Sequence, residues 1–371
     1  MRIAMFGHKR VPSREGGVEV VVEELSTRMV ALGHEVICYN RKGHHVCGRQ
    51  YDTARLPEYR GVRLKTVPTL NKKGLAAVTS GFFAALLAAA GKAQVVHIHA
   101  EGPAFFCWLP KLAGKRVVVT VHGLDWQRGK WRGGFGARFI RWGERMAVRF
   151  ADEVIVLSRH LQRYFRDTYG RDTVWIPNGV SCPESVPAEQ IVRQFGLEKD
   201  GYLLFVGRLV PEKGIHELIE AFGQLKTGKK LVIAGGASDT DDYAAKLQMM
   251  AAQDARILLT GFVQGRMLEE LYSNAFLFVQ PSAVEGMPLA LLEAMSYGNC
   301  CVVSDIPECA EMVQDDAILF PQGDTEALRA CLQTLCDEPE LAERYKRAAR
   351  EQIGTRYDWD EVVLRTLERY Q

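Results

Sequence analysis

The chain has 371 residues, with 47 Lys and Arg against 45 Asp and Glu, a formal charge of +2 and an apolar fraction of 47%. That length suggests two domains, each able to bury a core, and the composition excludes a disordered chain, a collagen-like repeat and a disulfide-stapled secreted module. The near-zero charge hides an asymmetry, because residues 1–190 hold 29 basic and 16 acidic side chains (+13) while residues 191–371 hold 18 and 29 (−11), so an anionic ligand or surface is the natural partner of the first half.

The first predicted strand, Arg2–Phe6, begins so early that it leaves no room for a signal peptide. It runs into Gly7 to Gly17, where Gly16 and Gly17 precede a helix over Val18–Leu32. Adjacent glycines at a helix N-terminus let backbone N–H groups approach an anion, and Lys9, Arg10 and Arg14 add positive charge; a plain tight turn fits as well. The spacing is not the G-x-G-x-x-G of a dinucleotide site. After the strand Glu35–Tyr39, Leu75–Gly91 is an uncharged, alanine-rich stretch. It is too poor in large apolar residues for a membrane span, so a helix buried between other elements is expected.

The strand Val95–His99 carries His97 and His99, which lack an acidic or Cys partner at metal-ligand spacing. The strand Arg116–Val121 leads into His122-Gly123-Leu124-Asp125. From Asp125 to Arg149, seven cations (Arg128, Lys130, Arg132, Arg138, Arg141, Arg145, Arg149) interleave with Trp126, Trp131, Phe135 and Trp142, and a helix is expected over Phe135–Phe150. The run suits an anionic membrane surface or an anionic acceptor, or a solvated helix with its tryptophans turned inward; no nucleic-acid motif accompanies it.

Beyond the strand Val154–Leu157, the turn-rich Pro177-Asn178-Gly179-Val180 and Pro183–Pro187 read as an interdomain linker. The pattern restarts with strands at Tyr202–Val206, Lys230–Ile233, Ile257–Leu259, Phe276–Val279 and Cys301–Val303. Helices are expected over Ile215–Leu225, Met267–Ser273, Pro288–Tyr297, Thr325–Cys336 and Pro339–Thr355. Strand alternating with helix means parallel α/β layers, in which ligands bind beyond the carboxyl ends of the strands. Domains are expected over 1–182 and 183–357.

The strand ends of the second half carry the chemistry. Arg208 and Lys213, in the loop Gly207–Gly214, can chelate phosphate oxygens and supply a compact charge. Glu285-Gly286-Met287-Pro288-Leu289 follows another strand; Pro288 suits a first helical turn, and Glu285 and Glu293 would lie about 80° apart on that helix, facing one ligand. Carboxylates so placed can accept the paired hydroxyls of a sugar or ribose. Gly261-Phe262-Val263 ends a third strand. The nine cysteines contain no C-x-x-C pair and read as reduced, mostly buried thiols, as expected of a cytosolic chain.

Together, Gly16-Gly17, His122-Gly123, Ile176-Pro177-Asn178-Gly179-Val180, the phrase Val206-Gly207-Arg208-Leu209-Val210-Pro211-Glu212-Lys213-Gly214, the Glu285-to-Glu293 pair and Tyr357-Asp358-Trp359 resemble a retaining GT-B glycosyltransferase of family 4 over essentially the whole chain. The resemblance implies two doubly wound Rossmann-like domains facing a central cleft, a final helix at about 358–371 that returns to the first domain, and a nucleotide-sugar donor held by the second domain. It implies that Arg208 and Lys213 hold the diphosphate, with backbone N–H groups of Gly16-Gly17 and of Gly286, Met287, Pro288 and Leu289 (Pro288 itself having none) lining phosphate and sugar. It further implies Glu285 on the sugar hydroxyls, Glu293 on the ribose, Gly261, Phe262 and Val263 at the base, and His122 near the reacting carbon. No metal or cofactor is implied. The N-terminal phrases look most like bacterial capsular or exopolysaccharide enzymes acting on a glycan or lipid-linked acceptor, and the Asp125–Arg149 run with the +13 half adds the expectation of a peripheral contact at the inner face of the plasma membrane. A nucleotide-sugar epimerase or hydrolase of the same fold, or a catalytically silent sugar-nucleotide-binding subunit, are the alternatives. The first needs extra acid/base carboxylates that cannot be placed here, and the second would be expected to have lost Arg208, Lys213 or Glu285.

Overall fold

A computed structural model describes residues 1–52, 56–72, 74–129, 134–237 and 241–371. The chain divides into two compact units, Met1–Asn178 with Trp359–Gln371, and Gly179–Asp358.

In the first unit the strands are β1 (Arg2–Phe6), β2 (Glu35–Arg41), β3 (Glu58–Tyr59), β4 (Val62–Val67), β5 (Val95–His99), β6 (Arg116–Val121), β7 (Glu153–Val156) and β8 (Val174–Trp175). They form one sheet in the order β3-β4-β2-β1-β5-β6-β7-β8, parallel except where β3 pairs antiparallel with β4. Residues 3–6 of β1 and all of β5 are buried, as continuous apolar runs covered on both faces require. Strand order reverses between β1 and β5. There Gly7 has φ +114°, and a Cβ on it would lie 1.9 Å from the His99 carbonyl oxygen, so only glycine lets the two strand ends approach this closely.

The second unit holds β9 (Tyr202–Val206), β10 (Lys230–Ala234), β11 (Ile257–Gly261), β12 (Leu277–Gln280), β13 (Cys300–Ser304) and β14 (Ile318–Phe320), in the order β11-β10-β9-β12-β13-β14 with every described pair parallel. Alternate residues of β9 serve two cores. Leu203 and Phe205 pack with Ile215, Phe222 and Leu332, whereas Tyr202 and Leu204 pack with Leu291, Leu292 and Ile353. Strand order reverses between β9 and β12, the place where a doubly wound sheet opens a crevice for ligands.

Three expectations change. Strands β3, β4, β8 and β14 were not anticipated; β4 carries exposed Arg63 and Lys65 near the sheet edge and forms through its register with β2, while the others have only two or three residues. The helix Leu75–Ala90 is not buried between other elements. Ser80, Gly81, Ala84, Ala85 and Ala88 let one side lie close to its neighbours, while Leu75, Phe82 and Leu86 point outward at 45%, 40% and 45% exposure. Pro288 stands one residue outside its helix, which spans Leu289–Ser296. Among the described residues, no helix is long and apolar enough to cross a membrane. All nine cysteines are free thiols, five of them buried and Cys182 exposed.

Candidate active site

The β9 and β12 ends bring several predicted side chains to one place. Gly214, with φ +64°, closes the loop after β9, and a Cβ there would fall 2.0 Å from the Pro281 carbonyl oxygen, so the loop lies directly against the end of β12. The Ala283 N–H donates to the Glu212 carbonyl at 2.9 Å and locks the approach. Lys213 Nζ consequently forms an ion pair with Glu285 Oε1, both side chains being largely buried. Gln280 Nε2 donates to the same carboxylate oxygen at 2.7 Å and to Ser282 Oγ at 2.6 Å. Arg208 leaves β9 beside Leu209, whose N–H donates to Gly236, so it sits at the same end of the sheet.

Glu285 lies in the loop before the helix Leu289–Ser296, not on it. The expected 80° relation to Glu293 therefore does not describe the two carboxylates, which are positioned by different elements. Pro288 caps the helix with φ −74° and ψ 106°, so Gly286 and Met287 belong to the loop leading into the cap. Glu293 is held by Tyr272, whose hydroxyl donates to Oε2 at 3.1 Å. Tyr272 is buried and stacks on Tyr297, ring centroids 5.5 Å apart and planes 12° from parallel, and burial raises its pKa well above the usual phenol. Gly261 is the last residue of β11, with φ +73°, and accepts from the Gly235 N–H at 2.9 Å; Phe262 and Val263 follow it.

In the first unit, Gly16 caps the helix Gly17–Ala31. The positive charge expected in the preceding loop is largely answered internally. Arg10 pairs with buried Glu15 at 3.1 Å and with Asp52 at 3.5 Å, Lys9 Nζ lies 3.9 Å from Glu15, and the Lys9 N–H donates to Glu19. The cause is Glu15 itself, which also accepts from the Val46 N–H at 2.9 Å and is 4% exposed.

His122 directly follows β6. Its Nε2 lies 3.1 Å from His99 Nδ1, while His97 bonds Tyr370 Oη at 2.6 Å and Thr120 Oγ1 at 2.7 Å. Burial pushes His122 down to about 4 and His97 to about 3, so both imidazoles are neutral at neutral pH. Among the described residues, no three His, Cys, Asp or Glu side chains are grouped to hold a metal.

In the basic, aromatic run, Lys130, Trp131 and Arg132 lie outside the described residues. The helix Phe135–Phe150 buries Ile140, Gly143, Glu144 and Ala147. On the opposite side it exposes Arg138, Arg141, Arg145 and Arg149 together with Phe135 (67%) and Trp142 (41%), all within about 120° of the helix circumference. Two of the aromatic residues thus face outward, and Trp126 is covered by the Arg141 guanidinium, 4.0 Å above its ring.

Gln280, Ser282, Tyr272, His99 and Glu101 were not singled out as functional from sequence. Gln280 carried a usable signal, being the polar residue that ends an otherwise apolar strand.

Comparison with known proteins bears on both units. The family Glycosyltransferase Family 4 matches residues 15–183, and Glycosyl transferases group 1 matches residues 188–352. The chain is similar to the alpha-maltose-1-phosphate synthase of Mycobacterium tuberculosis, 27% identical over 411 aligned positions that cover 100% of this chain and 99% of the relative. It also superposes on a sucrose-phosphate synthase from Thermosynechococcus elongatus (TM-score 0.81, 21% identity, 100% and 98% of the two chains covered). A third likeness is to Anabaena HepE solved with UDP-glucose (TM-score 0.81, 19% identity, 99% of each chain covered).

Proposed function

The chain belongs to the glycosyltransferases of family 4 and group 1, with the GT-B fold, and on that premise we propose that it transfers a sugar from a nucleoside-diphosphate sugar to a glycan or lipid-linked acceptor, without a metal and with retention of anomeric configuration. The observation that carries this reading is the largely buried Lys213–Glu285 pair at the β9/β12 switch point, a cation and a sugar-hydroxyl acceptor held together where the sheet opens.

Lys213 has three donors, so its pairing with Glu285 leaves N–H capacity for a phosphate oxygen. Arg208 adds a planar, bidentate donor at the same sheet end. Together they stabilise the negative charge that grows on the diphosphate as the bond from the anomeric carbon to the phosphate oxygen breaks. The acceptor oxygen attacks that carbon from the face the phosphate leaves, and its proton passes to the departing phosphate oxygen. Glu285 accepts hydrogen bonds from donor-sugar hydroxyls and Glu293, oriented by Tyr272, from the ribose. The Gly261–Val263 turn serves the base, the Gly17 backbone a phosphate, and neutral His122 the sugar near the reacting carbon. The stabilisation needed is electrostatic and preorganised, which cations and helix N-termini supply. The test is proton NMR of the first-formed product in EDTA: the same anomeric configuration as the donor is expected, and inversion, or transfer abolished by EDTA, overturns this assignment.

We further infer that the acceptor is presented at an anionic inner-leaflet surface, in cell-surface polysaccharide synthesis. The support is the outward face of Phe135–Phe150, four arginines with two exposed aromatic rings, which suits a lipid interface. Co-sedimentation with vesicles of zwitterionic lipid, with and without anionic lipid at two salt concentrations, is expected to show salt-sensitive capture by the anionic vesicles alone. Equal capture by both compositions counts against a membrane role.

A further inference from the structure

Behind His122 lies a pair of buried carboxyl groups that no step above uses. Glu101 and Glu144 are 1% and 0% exposed. Glu101 opens the short helix Glu101–Ala104 after β5, and its Oε2 accepts from the Asp125 N–H at 2.8 Å. Glu144 sits on the inner side of Phe135–Phe150, and its Oε2 accepts from the Tyr164 hydroxyl at 3.0 Å and the Tyr169 hydroxyl at 2.6 Å. Glu101 Oε1 and Glu144 Oε1 remain buried without a donor from any other described residue, and the two side chains are within hydrogen-bonding reach of each other.

The charges facing the pair make double ionisation costly. Asp125 adds a further negative charge, itself paired with Arg128 Nε at 3.0 Å, and Tyr164 and Tyr169 are neutral donors, with Arg145 acting on Tyr169. Burial first, then Asp125 and Glu144, hold the Glu101 carboxyl well above the usual carboxylate range. A Cβ on Gly143 would fall 1.8 Å from the Glu101 carbonyl oxygen, so the arginine-bearing helix is seated directly on Glu101.

We propose that Glu101 and Glu144 share one proton, and that this carboxyl pair is the positioning element that holds the segment from His122 to Gln127 in its working place. The bonds run in series: the shared proton joins Glu144 to Glu101, Glu101 holds the Asp125 N–H, and Asp125 lies three residues beyond His122. His99 steadies the imidazole from the other side. Loss of the proton sets two carboxylates against each other and frees the Asp125 N–H, so the device fails as pH rises. The inference rests on the reading of His122 as part of the donor site.

Glu→Gln replaces the protonated acid by an amide that donates the same bond, while its carbonyl still accepts from the Asp125 N–H in E101Q and from the Tyr164 and Tyr169 hydroxyls in E144Q. Wild-type enzyme is therefore expected to lose kcat reversibly on the alkaline side. E101Q and E144Q are expected to turn over comparably at neutral pH and to lack that limb. Glu101→Ala is expected to lower kcat by about tenfold to a hundredfold, the scale of a misplaced reacting group, with a smaller change in donor KM. Infrared spectra should show a protonated-carboxyl stretch in the wild type that is missing from E101Q. An alkaline limb in E101Q equal to the wild type's, or no protonated-carboxyl band in the wild type, overturns the proposal. His122→Ala separates the two readings. Wild-type turnover in that variant removes His122 from the site, whereas impaired turnover beside indifferent Glu101 variants sinks the carboxyl pair alone.

Discussion

Arg208→Ala is expected to lower kcat/KM by about a hundredfold or more, the scale for removing one preorganised donor from a developing charge, while leaving the fold intact. That loss corresponds to about 2.7 kcal/mol of transition-state stabilisation. Arg208 follows β9 at the switch point, and the loss falls on kcat because the charge on the leaving diphosphate grows only as the bond breaks. Lys213→Ala carries a second cost. It leaves Glu285, whose side chain is 8% exposed, without its cation, so weaker donor binding is expected along with slower turnover. Steady-state kinetics with the preferred donor check both; turnover within a few-fold of wild type in Arg208→Ala removes the arginine from the mechanism.

The largest expected effect on stability comes from Glu270→Ala. Glu270 is 0% exposed, and its Oε2 accepts from three consecutive N–H groups, Glu189 at 2.9 Å, Gln190 at 2.7 Å and Ile191 at 3.1 Å, at the start of the helix Gln190–Phe195. Its other oxygen lies 3.4 Å from Arg266 Nε. Removing the carboxylate strips donors at a helix start of their acceptor, a loss of about 2–4 kcal/mol. Burial alone would raise the Glu270 pKa, but the three N–H bonds outweigh it and hold the group below the usual carboxylate range. A depressed folded-state pKa adds stability that is present above the unfolded-state pKa and disappears as pH falls through the folded-state value. Urea denaturation at neutral pH should therefore show a lowered midpoint in Glu270→Ala, and the gap to wild type should narrow on acidification. A gap that is constant with pH would mean that the carboxylate's charge contributes nothing.

Much of the fold was legible in the chain because its strands are unbroken apolar runs. β1, β5, β6 and β9 and the helix Phe135–Phe150 have the bounds expected of them. Legibility failed where composition was uniform or pairing supplied the order. Leu75–Ala90 is so rich in alanine that nothing local says which side faces out; the sheet and the segment around Pro103 and Phe106 decide by accepting the small residues. β4 becomes a strand because β2 offers it five register partners in spite of Arg63 and Lys65.

The candidate site divides along the same line. Arg208, Lys213, Glu285 and Glu293 stand out by type and by position after strands, because a phosphate and a diol ask for those groups at that place. What holds them did not stand out. Tyr272 reaches Glu293 from a different helix, Gln280 reaches Glu285 from the end of β12, and Glu101 meets Glu144 only after β5 and the helix Phe135–Phe150 have packed. Such supports are ordinary residue types whose roles come from tertiary contact alone. The acidic second half, net −11, shows the same limit: bulk charge did not point to the paired cation at its sheet end.

Binding of a sugar nucleotide's diphosphate at the carboxyl end of the β9/β12 sheet, and activation of its departure there, is the proposal on which the assigned function turns. It is tested most directly by incubating the purified chain with UDP-, dTDP-, GDP- and ADP-sugars and measuring both thermal stabilisation and slow release of free nucleotide, beside an Arg208→Ala/Lys213→Ala double variant. At least one donor is expected to stabilise the wild type and to be slowly cleaved, and the double variant is expected to lose both responses. Absence of binding by all four donors, or equal binding and release by the double variant, would contradict it.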